Sequence, residues 1–335
     1  MTGGEQEAVS FGPFRVVGAM AELTRVDGGE DVGGTYGSNW AVGDRVQVIA
    51  AVPCGECYEC RKGWMAVCQN QTSMGYQYDG GFAEYMIVPR QVLKVDGLNR
   101  IPENVGFDEA SAAEPFACAI NAQELLGIEE GDTVVVLGAG PVGLVAAQSA
   151  WLMGAGRVIV VDHLQERLEK ARTMAYAETL DYDEHDDVVV ELKKQTDYLG
   201  ADVVIEAVGA EADGNLTQQL TGPKLKLQGG SATALNWAID GARKGGTVSV
   251  VGAYGPIPNA VKFGDALNKG LTLRMNQTPV KRQWPRMFEH VRNGFLTPRQ
   301  MVTHRFPLEG IPEAYHVFSS KLDGCIKPLI LPSAA

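Results

Sequence analysis

An α/β architecture is predicted for this chain: a doubly wound parallel sheet joined to a smaller β-rich lobe that cysteines staple. Three observations carry the prediction. Between about residues 130 and 255, short apolar runs alternate with segments of helical spacing. A glycine-rich turn, Gly138-Ala-Gly140-Pro-Val-Gly143, follows the first of those runs directly. Four of the six cysteines fall between Cys54 and Cys68.

The 335 residues suit two domains at roughly 150 residues each. A composition of 45% hydrophobic and 21% charged residues is that of a chain able to bury a core. The net charge of −12 disfavours nucleic acid and anionic membrane surfaces as partners. No apolar run approaches the ~20 residues of a membrane span. Residues 1–8 are polar and acidic, unlike a secretory leader, so a cytoplasmic protein is expected.

Residues 1 to about 115 read as rich in strand and loop. Val42 to Ala50 is a turn followed by an alternating strand, and Gly80 to Pro89 is expected to form another, stopped by proline. Between them the cysteines are spaced C-x2-C-x2-C-x7-C, as Cys54, Cys57, Cys60 and Cys68. Four thiolates this close suit a closed structural zinc tetrahedron. A disulfide cluster is the bland alternative, and nothing else in the chain looks secreted. An iron–sulfur cluster is the other; the short ferredoxin pattern closes with x3 and a proline, whereas here the gap is x7 and Gln69 follows. Cys118 and Cys325 read as small buried apolar residues.

The period changes after residue 130. Asp132 to Leu137 is a strand buried on both faces. Val142, Val145, Ala146, Ser149, Ala150 and Met153 mark one face of the next helix. Arg157 to Val161 is the second strand, and Leu164, Leu168, Ala171 and Ala175 mark the second helix. Residues 201–208 and 247–251 give further strands, with a helix over 236–244 ahead of the second. The tail is expected to hold helices at 284–293 and 311–318, with a last strand at 326–331.

The glycine turn is a G-x-G-x-x-G in the context that such a fingerprint requires, strand before and helix after. Gly138 permits the tight turn, Gly140 lets a pyrophosphate approach the backbone, and Gly143 lets helix and strand pack closely. Pro141 and Val142 open the helix, whose free N–H groups and partial positive charge attract phosphate. Eighteen residues after Gly143, Asp162 ends the second strand, placed to accept ribose hydroxyls and to repel a 2′-phosphate. NAD is therefore expected over NADP, a preference that Arg167 weakens only slightly. Val208, at the end of a later strand, joins the expected cofactor residues.

A four-cysteine lobe upstream of this fingerprint resembles the zinc-containing medium-chain dehydrogenase/reductase family, the alcohol dehydrogenases. The resemblance runs from about Trp40 to Pro332 and includes residues 42–46, 81–85, 114–118 and 136–143. Residues 162–168, 225–228, 243–249, 268–275 and 323–327 resemble the glutathione-dependent formaldehyde dehydrogenase-like subgroup, and 213–228 its extra loop. The resemblance implies a GroES-like β domain over 1–117, a Rossmann domain over 118–265, and a segment 266–335 that returns to the first. It implies hydride transfer between NAD and a small alcohol or aldehyde, and a homodimer or homotetramer.

The family's second zinc polarises the reacting oxygen. Its ligands are a cysteine near the N-terminus, the histidine of a Gly-His-Glu motif, and a cysteine, aspartate or glutamate ahead of the Rossmann domain. This chain has no cysteine before Cys54 and no histidine before His163. Gly28-Gly-Glu30 stands as a remnant of the second motif, and Glu114 is the counterpart of the third ligand. Catalytic residues are thus unassigned, and a catalytic zinc is in doubt where such sites need three protein ligands. His163, His185, His290, His304 and His316 read as adenosine-side, loop, helix or strand residues rather than ligands. A truncated reading frame and a non-catalytic NAD-binding paralogue explain the atypical first forty residues equally well. A zinc-free reductase is the third alternative, against which the zinc lobe argues.

Overall fold

The computed structural model describes residues 20–22, 40–41, 43–124, 126–209, 232–254 and 260–331. The Gly28–Glu30 remnant, most of the first forty residues and the 213–228 loop lie outside the described residues.

The first lobe is built from short antiparallel strands. β1 (Met20–Glu22), β2 (Arg45–Val48) and β5 (Leu98–Arg100) form one sheet in the order β1-β2-β5, and β3 (Ala51–Val52) pairs with β4 (Thr72–Ser73). Val46 and Val48 are buried on one face of β2. The strand expected over 80–89 is absent. Gly80 and Gly81 loosen its start, and Tyr85 and Ile87 stand in solvent, 77% and 86% exposed. An alternating pattern makes a strand only where a neighbour takes its N–H and C=O groups, and none of the described strands pairs with this run.

The larger sheet has six strands, all parallel: β6 (Thr133–Leu137), β7 (Arg157–Asp162), β8 (Glu178–Asp181), β9 (Ala201–Glu206), β10 (Ala242–Val250) and β11 (Thr272–Met275). Their order is β11-β10-β9-β6-β7-β8. Both faces are covered, which explains the unbroken apolar runs. Val134, Val136, Val158, Val160, Val203 and Ile205 face one core, with Leu144, Val145 and Ala146 of the Pro141–Leu152 helix. Val135, Leu137, Ile159, Val161 and Val204 face the other, with Val188, Leu192 and Ala238 of the helices Val188–Gln195 and Thr233–Gly241. Each Val, Leu or Ile among them, fully buried, contributes about 1.5–3 kcal/mol.

The helix expected before β10 ends at Gly241, and the chain turns to strand at Ala242, with a register shift between Ala242 and Thr247. Lys269 fixes that end: its ammonium donates to the carbonyls of Ile239, Asp240 and Ala242 at 2.8, 2.7 and 2.6 Å. The C-terminal stretch touches the first lobe. In the Val280–Arg292 helix, Lys281 Nζ donates to Val95 O at 2.8 Å. β12 (Val302–Pro307) and β13 (Lys327–Leu331) pair in parallel around the Ile311–Ser319 helix. Arg299 and Arg305 both reach Asp108 Oδ2 at 3.3 Å, and Tyr315 meets Phe82 edge to face at 6.1 Å.

Candidate dinucleotide and metal sites

The sheet's strand order reverses between β6 and β9, so the crevice beyond their carboxyl ends is where an open α/β sheet binds ligands. The glycine turn lies there. Gly138 has φ +93°, and its N–H donates to Val161 O at 2.8 Å. A Cβ at Gly138 would stand 2.8 Å from Val208 Cγ2. A Cβ at Gly143 would stand 1.8 Å from the Gly138 carbonyl oxygen, so no larger residue fits. Gly140 differs: it caps the helix in extended backbone, and its missing Cβ faces open space bounded by Arg167 Nη1 at 3.8 Å. Pro141 takes the first helical turn, Val142 packs half-buried on the core, and no side chain claims the helix's leading N–H groups. They and the helix dipole suit a pyrophosphate.

Asp162 closes β7 and is 6% exposed. Its Oδ2 accepts from Ala139 N at 2.7 Å, and Oδ1 accepts from His163 N at 2.8 Å and Leu164 N at 3.0 Å. The residue picked from sequence as a ribose acceptor thus also fastens the glycine turn to the second strand. Two oxygens offer about four acceptor sites; with three N–H donors in place, one site remains. Arg167 Nε is buried with no hydrogen-bond partner. His163 stacks on Tyr182 at 4.8 Å and sets Nδ1 3.2 Å from Asp183 Oδ2.

Sequence reasoning missed Glu206. It ends β9 at the same crevice and is fully buried, and burial pushes its carboxyl above the usual range despite hydrogen bonds from Gly209, Val208 and Tyr254. The only sequence signal was an acidic residue closing an otherwise apolar strand.

In the first lobe the four cysteine sulfurs lie within 4.8 Å of one another. Cys54 Sγ is 4.0 Å from Cys60 Sγ, and Cys57 Sγ is 3.7 Å from Cys68 Sγ. A zinc tetrahedron with bonds of ~2.3 Å has edges of ~3.8 Å, whereas a disulfide would bring two sulfurs to ~2.05 Å. The donor set therefore fits zinc. Backbone amides turn toward the sulfurs: Cys54 N to Cys68 Sγ at 3.2 Å, Cys57 N to Cys54 Sγ at 3.3 Å and Glu56 N to Cys54 Sγ at 3.4 Å. The N–H groups of Glu56 and Cys57 lower the Cys54 thiol to about 6, while burial pushes Cys60 up to about 12. A coordinated dication deprotonates such thiols outright.

Glu114 sits in the first turn of the Ala113–Glu124 helix and accepts from Cys118 Sγ at 3.5 Å. It acts electrostatically on Lys327 of β13, whose pKa burial lowers and Glu114 raises. Among the described residues, the four cysteines are the one group of three or more metal-binding side chains. None of the five histidines joins Glu114 there, so the described residues do not make a three-donor zinc site, and no chemistry is routed through one.

The model of the alcohol dehydrogenase GroES-like domain matches residues 25–97, and that of the zinc-binding dehydrogenase matches residues 141–227. The first match begins ahead of Trp40, where the resemblance read from sequence started. The zinc-type alcohol dehydrogenase-like protein AdhB of Bacillus subtilis (strain 168) is 35% identical over 303 residues, 87% of this chain and 79% of the relative. The chain belongs to the zinc-type alcohol dehydrogenase family. Within that family, the rspB alcohol dehydrogenase of Escherichia coli CFT073, solved with NADH, is 26% identical at a TM-score of 0.75, covering 93% of this chain and 81% of that one. A zinc-binding dehydrogenase of Sinorhizobium meliloti 1021, solved with NADP, is 27% identical at a TM-score of 0.72, covering 88% and 78%. The chain is an NAD(P)-dependent oxidoreductase of this family. No described helix is long and apolar enough to cross a membrane.

Proposed function

We propose that this alcohol dehydrogenase uses NAD rather than NADP and passes hydride between the nicotinamide and a small alcohol or aldehyde of the formaldehyde dehydrogenase-like class. The observation that carries the cofactor choice is Asp162, a carboxylate fixed by three backbone N–H groups beside the glycine turn. A 2′-phosphate there would meet a fixed negative charge, while a ribose hydroxyl would meet an acceptor. Gly138, Gly140, Pro141, Val142, Gly143, Arg167 and Val208 complete the cofactor set, with Cys54, Cys57, Cys60 and Cys68 as structural zinc ligands. The reading extends to a cytoplasmic homo-oligomer joined through its parallel sheets.

The test is a titration of purified protein with NADH and NADPH, followed by an alcohol and aldehyde turnover screen and metal analysis. Tighter NADH binding, with turnover of a small aldehyde or its thiol adduct and a zinc in the cysteine lobe, is expected. Equal or tighter NADPH binding would overturn the cofactor choice, and turnover confined to other alcohols would overturn the substrate class.

A further inference from the structure

Glu206 occupies the crevice where β9 ends, and its carboxyl and main-chain oxygens together tie two turns. Its Oε1 accepts from Val208 N at 2.8 Å and Gly209 N at 2.6 Å, both in the turn after β9. Its main-chain oxygen accepts from Val251 N at 2.9 Å and Gly252 N at 3.0 Å, in the turn after β10. The two turns interlock at the backbone: a Cβ on Gly252 would stand 2.3 Å from Gly209 N and 2.5 Å from Glu206 Oε2, and one on Gly209 would stand 2.5 Å from Ala253 N. Val208, held by the first of these hydrogen bonds, leans on the glycine turn, where a Cβ at Gly138 would lie 2.8 Å from its Cγ2. Oε2 is buried without a donor at standard geometry. The phenol of Tyr254 is the titratable group that pairs with the carboxyl, and its own pKa is pushed up by burial and by Glu206. The flanking strands set Leu137 of β6 and Val250 of β10 beside Glu206, neither of them titratable.

We propose that Glu206, as the neutral acid, is a positioning residue for the dinucleotide: it holds Val208 against the Gly138–Gly143 turn, and its ionisation loosens that wall and weakens cofactor binding. The inference rests on the crevice being the cofactor site. A protonated Oε2 carries a hydroxyl that the Tyr254 oxygen can accept, so every polar atom of the carboxyl is engaged. The ionised form leaves a buried charge that the N–H groups of Val208, Gly209 and Gly252 and the Tyr254 phenol offset only in part, so burial still disfavours it. Burial raises the folded pKa above the ~4.3 of an unfolded glutamate. The stabilising effect is therefore full below that unfolded value and is lost as pH rises through the folded one.

The experiment is a fluorescence titration with NADH from about pH 6 to about pH 9, on the wild type and on Glu206→Gln. The wild-type dissociation constant is expected to climb by up to about tenfold per pH unit above the midpoint. Gln keeps the carbonyl acceptor for Val208 and Gly209 and sets an amide where the hydroxyl was. That variant should bind as tightly as the wild type at low pH and stay flat. A flat wild-type profile, or identical slopes in both proteins, overturns the proposal; the wild-type profile alone decides it if the variant fails to fold. Failure of this kind leaves NADH binding intact at every pH, whereas a wild type that binds NADH at no pH removes the crevice as a cofactor site and this proposal with it.

Discussion

Gly143 and Asp162 fix the glycine turn by different means. Gly143 acts by having no side chain: a single methyl would overlap the Gly138 carbonyl. Gly143→Ala should cost at least ~1–3 kcal/mol through forced displacement of helix or strand and abolish measurable NADH binding. A melt combined with a titration checks it, and wild-type affinity in this variant would contradict the packing described. Asp162 acts by accepting. Asp162→Ala strands the N–H groups of Ala139, His163 and Leu164, each worth about 1–3 kcal/mol if left buried and unpaired. NADH affinity should fall at least about tenfold while the NADPH to NADH preference rises; an unchanged preference would show that this carboxylate does not read the ribose. Both residues were legible in the sequence because a turn between strand and helix has few chemical solutions. Glu206 was not, because half of what closes around it, the Val251 and Gly252 N–H groups, comes from the turn after β10, far along the chain.

The zinc lobe is an element with almost no regular structure, two short helical turns at Tyr58–Arg61 and Met65–Val67. A zinc ion joining the four sulfurs would supply the order that regular structure does not. Cys60→Ala should lower zinc content and melting temperature together, and chelation should open the lobe to proteolysis while leaving the parallel sheet's signal in place. Unaltered zinc content in that variant would rule out the four-thiolate assignment. The sheet elements were predictable because burial on both faces writes the same apolar run into β6, β7 and β9. The 80–89 run shows where such patterns stop: alternation is local, but a strand is a pairing, and exposed Tyr85 and Ile87 have no sheet face to rest on. The end of the Thr233–Gly241 helix was misplaced for a related reason, since the Lys269 ammonium that stops it arrives from a later helix.

Across the molecule, paired carboxylates set the acid limit of the fold. Arg157 holds the Glu178 carboxyl below its ordinary range through a bidentate contact at 2.7 and 2.6 Å. Burial would raise Asp202, yet the Arg243 guanidinium and the Thr133 N–H outweigh it and keep that carboxyl low. Depressed carboxyl pKa values stabilise the fold above the unfolded range near 4 and are lost as pH falls through the folded values. Asp202→Asn should therefore destabilise the protein at neutral pH, by about 1–3 kcal/mol, and flatten the acid limb of a melting profile recorded below about pH 5. An unchanged acid limb would assign the limb to other groups.

The partners that complete the first lobe are spread along the polypeptide. Asp108 waits for Arg299 and Arg305, Phe82 for Tyr315, and Glu114 for Lys327. During synthesis, at roughly 5–20 residues per second, the nascent front of the polypeptide leaves the ribosome tens of seconds before those groups exist. For that interval the lobe's apolar surface stays uncovered, and β13, the last described strand to emerge, brings the final partner.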